Sequence, residues 1–220
     1  LFTEINKKAV DIAKKAIDSD SLIIGNIGSG NFDIVPFGEY DFDKAVQKYK
    51  QQVEILIKNG VDGILLNQFE DMQNLRAAAI AVREVDNKIN LLVSADFQNK
   101  IMQSGTDVET FATIMNSLAV DAMGLNDVKL LRKLEKFSNL PLICHLNNDD
   151  LDKNLKRLGK RRLGLIIGSN IDQDKIPQIA DFAHDKQIEK GDNELTFKIT
   201  SYKPFKAEQV AVYQNNYIDV

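Results

Sequence analysis

The chain has 220 residues, 44% of them hydrophobic and 27% charged, with a formal net charge of −4. That is enough to bury a substantial core in one domain, and the interspersed charges argue against a nucleic-acid footprint. No run approaches the roughly 18 apolar residues that span a bilayer, and Leu1 to Lys8 lacks the apolar stretch of a secretory signal, so a cytoplasmic setting is expected.

Strand-like apolar runs alternate with helix-length amphipathic segments, the pattern of βα units around a parallel sheet. Leu22 to Ile27 is the first strand, followed by a loop with Gly28, Ser29, Gly30 and Asn31. A helix is predicted from about Phe42 to Asn59, because Ala45, Val46, Tyr49, Val53, Leu56 and Ile57 recur at helical spacing and Asn59-Gly60 supplies a stop. Val61 to Asn67 is the second strand and Asp71 to Val85 the next helix, with Ala77 to Ala79 allowing close packing. Asn90 to Ser94, Val120 to Leu125, Leu140 to His145 and Gly164 to Gly168 are the remaining strands, with a helix at Val108 to Leu118 between the first two. The basic cluster Lys156-Arg157 with Lys160-Arg161-Arg162 reads as a solvated helix end. A last helix, Lys175 to Ala183, carries Pro177 in its first turn. Beyond it, Glu194 to Thr200 and Gln209 to Tyr213 alternate like strands around a Lys203-Pro204-Phe205 turn, so 188–220 is expected to be an extension forming a β-hairpin.

The expected fold is therefore α/β, a TIM-type (β/α)8 barrel in which 1–187 supplies six βα units. A closed barrel of this class uses eight strands and about 250 residues, so the first two units are expected to lie outside this chain, or a partner chain to complete the site. Catalytic groups of such barrels sit at the carboxyl ends of the strands, which singles out Asn126 and Asp127 after the strand at Val120. Asp96, Glu70 and Asp71 also follow strands, and His145 ends the fifth. The carboxylates of Asp127, Asp96, Glu70 and Asp71 are hard oxygen ligands that suit Mg²⁺ or Mn²⁺, with His145 able to join them, although Asp71 at a helix start reads equally well as an N-cap. Gly28-Ser29-Gly30 lacks the fuller pattern of a phosphate loop. With Cys144 the only cysteine, neither an internal disulfide nor a thiolate-rich metal site is available.

From Ile5 to about Ala183 the chain resembles the homocysteine S-methyltransferase domain, the zinc-dependent barrel of methionine synthases and related enzymes. The resemblance rests on Asn6-Lys7-Lys8-Ala9-Val10, Gly25-Asn26-Ile27-Gly28, Gly60 to Leu66 leading to Asp71, the helix Leu75 to Val85, Ser104-Gly105 and Gly124-Leu125-Asn126, in that order. It implies methyl transfer to homocysteine, giving methionine. In the family a zinc-binding Cys follows Gly-Leu-Asn, and two more end the last strand. Here Asp127 holds the first of those positions, while Ser169, Asn170 and Ile171 stand at the last strand end. No zinc set of the family kind is expected.

The family's Glu-Thr pair after the second strand is here Asn67-Gln68. The resemblance implies that a homocysteine- or methionine-like ligand would meet Asn126, Asn67, Gln68, Ser94 and Asp96. Three readings stay open: a methyltransferase relative with impaired or lost zinc-dependent activity, a non-catalytic barrel binding an amino acid or a partner, and a repurposed enzyme using strand-end carboxylates with His145. None involves nucleic acid or a membrane.

Overall fold

The computed structural model describes residues 1–17, 21–30, 32–36, 38–148, 150–159, 164–167 and 171–184. Helix α1 (Phe2–Ala16) leads into β1 (Ile24–Ile27), α2 (Phe42–Lys58), β2 (Gly63–Phe69), α3 (Met72–Val85), β3 (Asn90–Ala95), α4 (Val108–Ser117) and β4 (Ala122–Leu125). A short α5 (Leu131–Leu134), β5 (Leu142–Leu146), α6 (Leu151–Leu158) and β6 (Gly164–Ile167) follow, and a 3₁₀ turn runs into α7 (Ile176–His184). The expected 188–220 hairpin lies outside the described residues, as do Ser169 and Asn170. Among the described residues no helix is long and apolar enough to cross a membrane.

The six strands among the described residues are parallel and lie side by side in chain order, a curled sheet that forms part of a TIM barrel. Three helices begin at an aspartate whose side chain accepts a backbone N–H three residues on: Asp41 from Lys44, Asp71 from Asn74 and Asp107 from Thr110. This satisfies donors that the first turn leaves orphaned, and places a negative charge at the positive helix end. Asp71 is thus the cap that its position allowed.

The two faces of the sheet follow from one glycine. A Cβ built on Gly25 would meet Ile64 Cδ1 and Leu56 Cδ1, each at 3.0 Å, so Gly25 and Ile64 face α2 on the outer, helix-covered side. Side chains alternate along a strand, so Leu65 and Asn67 face inward. The register carries that assignment across the sheet, since partners in adjacent strands share a face. Leu65 pairs with Leu92, Leu92 with Ala122, Ser94 with Gly124, and Gly124 with Ile143. On the outer face Ile64, Leu66, Leu91, Val93, Met123 and Leu125 pack fully buried against helix residues such as Leu75 and Met115. On the inner face Ile24 at the β1 edge remains 37% exposed.

Candidate functional site

The inner face becomes polar toward the carboxyl ends of the strands. Asn67 follows Leu66 and Ser94 follows its partner Val93, where the β2–β3 register shifts, so both belong to the carboxyl ends of these neighbouring strands. Ser94 is completely buried, and neither its Oγ nor the buried Oδ1 of Asn67 has a hydrogen-bond partner. Buried polar atoms are nearly always paired, and an orphaned one costs about 1–3 kcal/mol. Asn67 Oδ1 and Ser94 Oγ are thus two unmet acceptors at the ends of neighbouring strands. Sequence patterning indicated the positions but not this condition, which depends on what the neighbouring strands fail to supply.

Gln68 differs from its neighbours. The β2–β3 register shifts between Leu66 and Phe69, and Gln68 sits in that bulge, exposed, with φ of +54°. Bulges recur beside active sites because they redirect the chain, and a non-glycine residue in this region is uncommon.

Asp96 and Asn126 are held together. Asn126 donates from Nδ2 to Asp96 Oδ1, and its own Oδ1 accepts the backbone N–H of Phe97 at 2.8 Å. Asn126 therefore ties β4 to β3 and aims the Asp96 carboxylate. Asp127 is committed locally: Oδ1 accepts the Lys129 N–H at 2.8 Å, and its carbonyl accepts from Leu130 at 2.9 Å, starting the turn into α5. Glu70 is exposed, and its carbonyl accepts from Gln103 N–H at 2.9 Å. The expected Ser-Gly turn is present, with Gly105 at φ +79° and Ser104 Oγ accepting the Met72 N–H at 3.2 Å.

His145 also belongs to this face, two residues beyond the inward Ile143, and is 6% exposed. Burial lowers its pKa, and the nearby Asp96 charge opposes that shift. Cys144 points to the opposite face, completely buried, and burial followed by the Asp127 charge pushes its thiol up to about 12. A thiol so placed is an inert core group rather than a metal ligand.

The zinc set that the resemblance implies does not fit these residues. Asp127 spends an oxygen on its own turn, Cys144 faces away, and Ile171 is an apolar core residue, 7% exposed. Among the described residues no group of three His, Cys, Asp or Glu side chains converges as a metal site.

One network escaped sequence reasoning entirely. Tyr49 on α2 accepts the Gly30 N–H at 2.9 Å and donates to Asn74 Oδ1 at 3.1 Å, while Asn74 Nδ2 donates to the Phe32 carbonyl at 3.1 Å. Tyr49 is 5% exposed and Asn74 2%, so a buried relay fixes the glycine loop after β1. Helical periodicity had marked Tyr49 only as a core position.

Comparison with known proteins agrees with this architecture. The profile of the homocysteine S-methyltransferase family matches residues 1–163. Among solved structures, the homocysteine methyltransferase MmuM from Escherichia coli in its apo form aligns with a TM-score of 0.66 at 18% identity, covering 76% of this chain and 68% of that one. Its metallated form gives 0.64 at 18% identity, with 84% and 70% covered. The carboxyl transferase domain of Rhizobium etli pyruvate carboxylase with 3-bromopyruvate is more distant, at 0.52 and 12% identity, with 74% of this chain and 29% of that one covered. No curated protein sequence matches. Identities this low establish the fold alone, whereas the profile match spans most of the chain: it belongs to the homocysteine S-methyltransferase family.

Proposed function

We propose that this chain binds homocysteine or a methionine-like amino acid on the inner face of its sheet, and that the family's zinc-dependent methyl transfer is impaired or lost. The observation that carries the reading is the presence of two unpartnered buried oxygens, Ser94 Oγ and Asn67 Oδ1, on these strand ends. An amino acid's ammonium group presents N–H donors of the kind those acceptors lack. Asp96, aimed by Asn126, adds a carboxylate beside them. Gln68, exposed on the bulge, is placed at the rim of the same strand end.

Loss of the zinc chemistry rests on the ligand set. Zinc holds a substrate thiol as its thiolate, and family members supply three protein sulfurs for the purpose, whereas this chain has one cysteine, on the wrong face.

The test pairs two measurements on the full chain. Homocysteine and methionine should each raise the melting temperature in a saturable way, because a ligand that binds only the folded state stabilises it. Zinc content after purification in zinc-supplemented buffer should stay far below one per chain, with no zinc-stimulated methylation of homocysteine. Stoichiometric zinc with turnover would overturn the loss of chemistry. Absence of any thermal shift would overturn the binding site.

A further inference from the structure

The amino-acid reading leaves one group on the inner face without a task. His145 is 6% exposed on the strand adjoining β4, and it faces the same side as Ser94, Asp96 and Asn126. Asp96 is close enough to favour the protonated ring electrostatically, and that carboxylate is itself fixed by Asn126, which the Phe97 N–H anchors in turn. The fully buried, unpartnered Ser94 Oγ on the same face is an independent sign that a ligand's polar atoms belong there. Burial outweighs the pull of Asp96, so the imidazole is neutral at pH 7 and carries a lone pair that accepts a proton. A free thiol, with a pKa near 8.5, is mostly protonated at that pH and is a weak nucleophile until it ionises.

We propose that His145 takes the proton of a thiol carried by the amino acid bound on the inner face, with Asp96 stabilising the imidazolium that results. In this step the S–H bond breaks, its electron pair stays on sulfur, and the proton bonds to a ring nitrogen of His145. A thiolate–imidazolium pair replaces two neutral groups, the new thiolate charge joining that of Asp96 to offset the burial that holds the free ring neutral, and neither metal nor oxidant takes part. The residue would do what the missing thiolate-bound metal does elsewhere, by proton transfer in place of coordination. The proposal rests on the amino-acid reading of this face.

The full chain is titrated at pH 7 with homocysteine and, separately, with methionine, which has the same amino acid portion and no S–H. Binding is followed by calorimetry in two buffers of different ionisation enthalpy, and thiolate by its ultraviolet absorption. Both ligands should bind, only homocysteine should give the thiolate band, and no net proton should be released, since the proton stays on His145. His145→Gln should keep binding homocysteine and lose the band at pH 7. Homocysteine bound without a band, a band that survives in His145→Gln, or release of a full proton on binding would each overturn the proposal while leaving the amino-acid site standing. Binding of neither ligand would overturn both. The band and the proton count are read on the unaltered chain, so a His145→Gln protein that failed to fold would still leave the proposal open to refutation.

Discussion

Asn126 joins the ends of two neighbouring strands by donating to the Asp96 carboxylate while its own carbonyl accepts the Phe97 N–H. Both ends of the amide are therefore occupied, so in the proposed site the residue works through Asp96 rather than by its own contact. Asn126→Ala frees the carboxylate to rotate and strands the Phe97 donor, at a cost of about 1–3 kcal/mol. Chemical denaturation should show that loss, and the thermal shift given by homocysteine should shrink. An Asn126→Ala protein with unchanged stability and unchanged ligand response would show that the amide positions nothing.

Gly124 is required by the approach of β5. A Cβ there would sit 2.0 Å from the Ile143 carbonyl oxygen, and backbone cannot swing aside as a side-chain end can. Gly124→Ala forces the strands apart and should destabilise by about 1–3 kcal/mol or more, the range of overpacked cores. Gly28, where a Cβ would meet nothing within 4 Å, is the control. Gly28→Ala should leave the denaturation midpoint nearly unchanged. Equal midpoints for the two variants would contradict the packing described between β4 and β5.

Tyr49→Phe removes one oxygen and leaves two groups without their partner, the half-buried Gly30 N–H and the buried Asn74 Oδ1. Burial raises the phenol's pKa, so the hydroxyl stays protonated and donating throughout the neutral range. A loss of about 1–3 kcal/mol is expected, with faster hydrogen exchange at the Gly30 amide. Unaltered exchange there would mean that the loop is held by something other than the Tyr49 relay.

Periodicity and caps made most of this fold readable. Strands at Ile64, Leu91 and Met123 and the helices capped by Asp71 and Asp107 announce themselves through apolar runs and helix-start residues, and they form where the pattern places them. Boundaries moved where local chemistry competed. The predicted strand over Leu22 to Ile27 begins only at Ile24, while β2 runs on past a bulge to Phe69. Helix α1 was harder to recognise, since only Val10 of its fifteen residues is buried and its apolar positions Phe2, Ile5 and Ile12 remain exposed. The candidate site was legible as a set of positions at strand ends. Its bonding was not, because which of Asp96, Asn126 and Asp127 satisfies a neighbour and which oxygen is left alone depends on groups some thirty residues away in sequence, such as the Phe97 donor for Asn126.

Cys144 gives a prediction in pH. Its thiol is held up to about 12 by burial first and by Asp127 second, whereas an unfolded thiol ionises near 8.5. Between these values the unfolded chain has lost the proton that the folded chain keeps, so the folded state binds more protons and stability must fall as pH rises. Below about pH 8 both states keep the thiol protonated, and the residue contributes no pH dependence. Comparison with Cys144→Ala isolates the effect, since other titrating groups are common to both proteins. The difference in unfolding free energy should be flat from pH 6 to about 8, then turn against the cysteine protein with a limiting slope of about 1.4 kcal/mol per pH unit. Over the neutral range the native thiol should react with a disulfide reagent only as fast as the chain opens. Rapid labelling of the folded protein at pH 7, or a difference that stays flat up to pH 10, would place Cys144 in an exposed, ionisable setting and return it to consideration as a ligand.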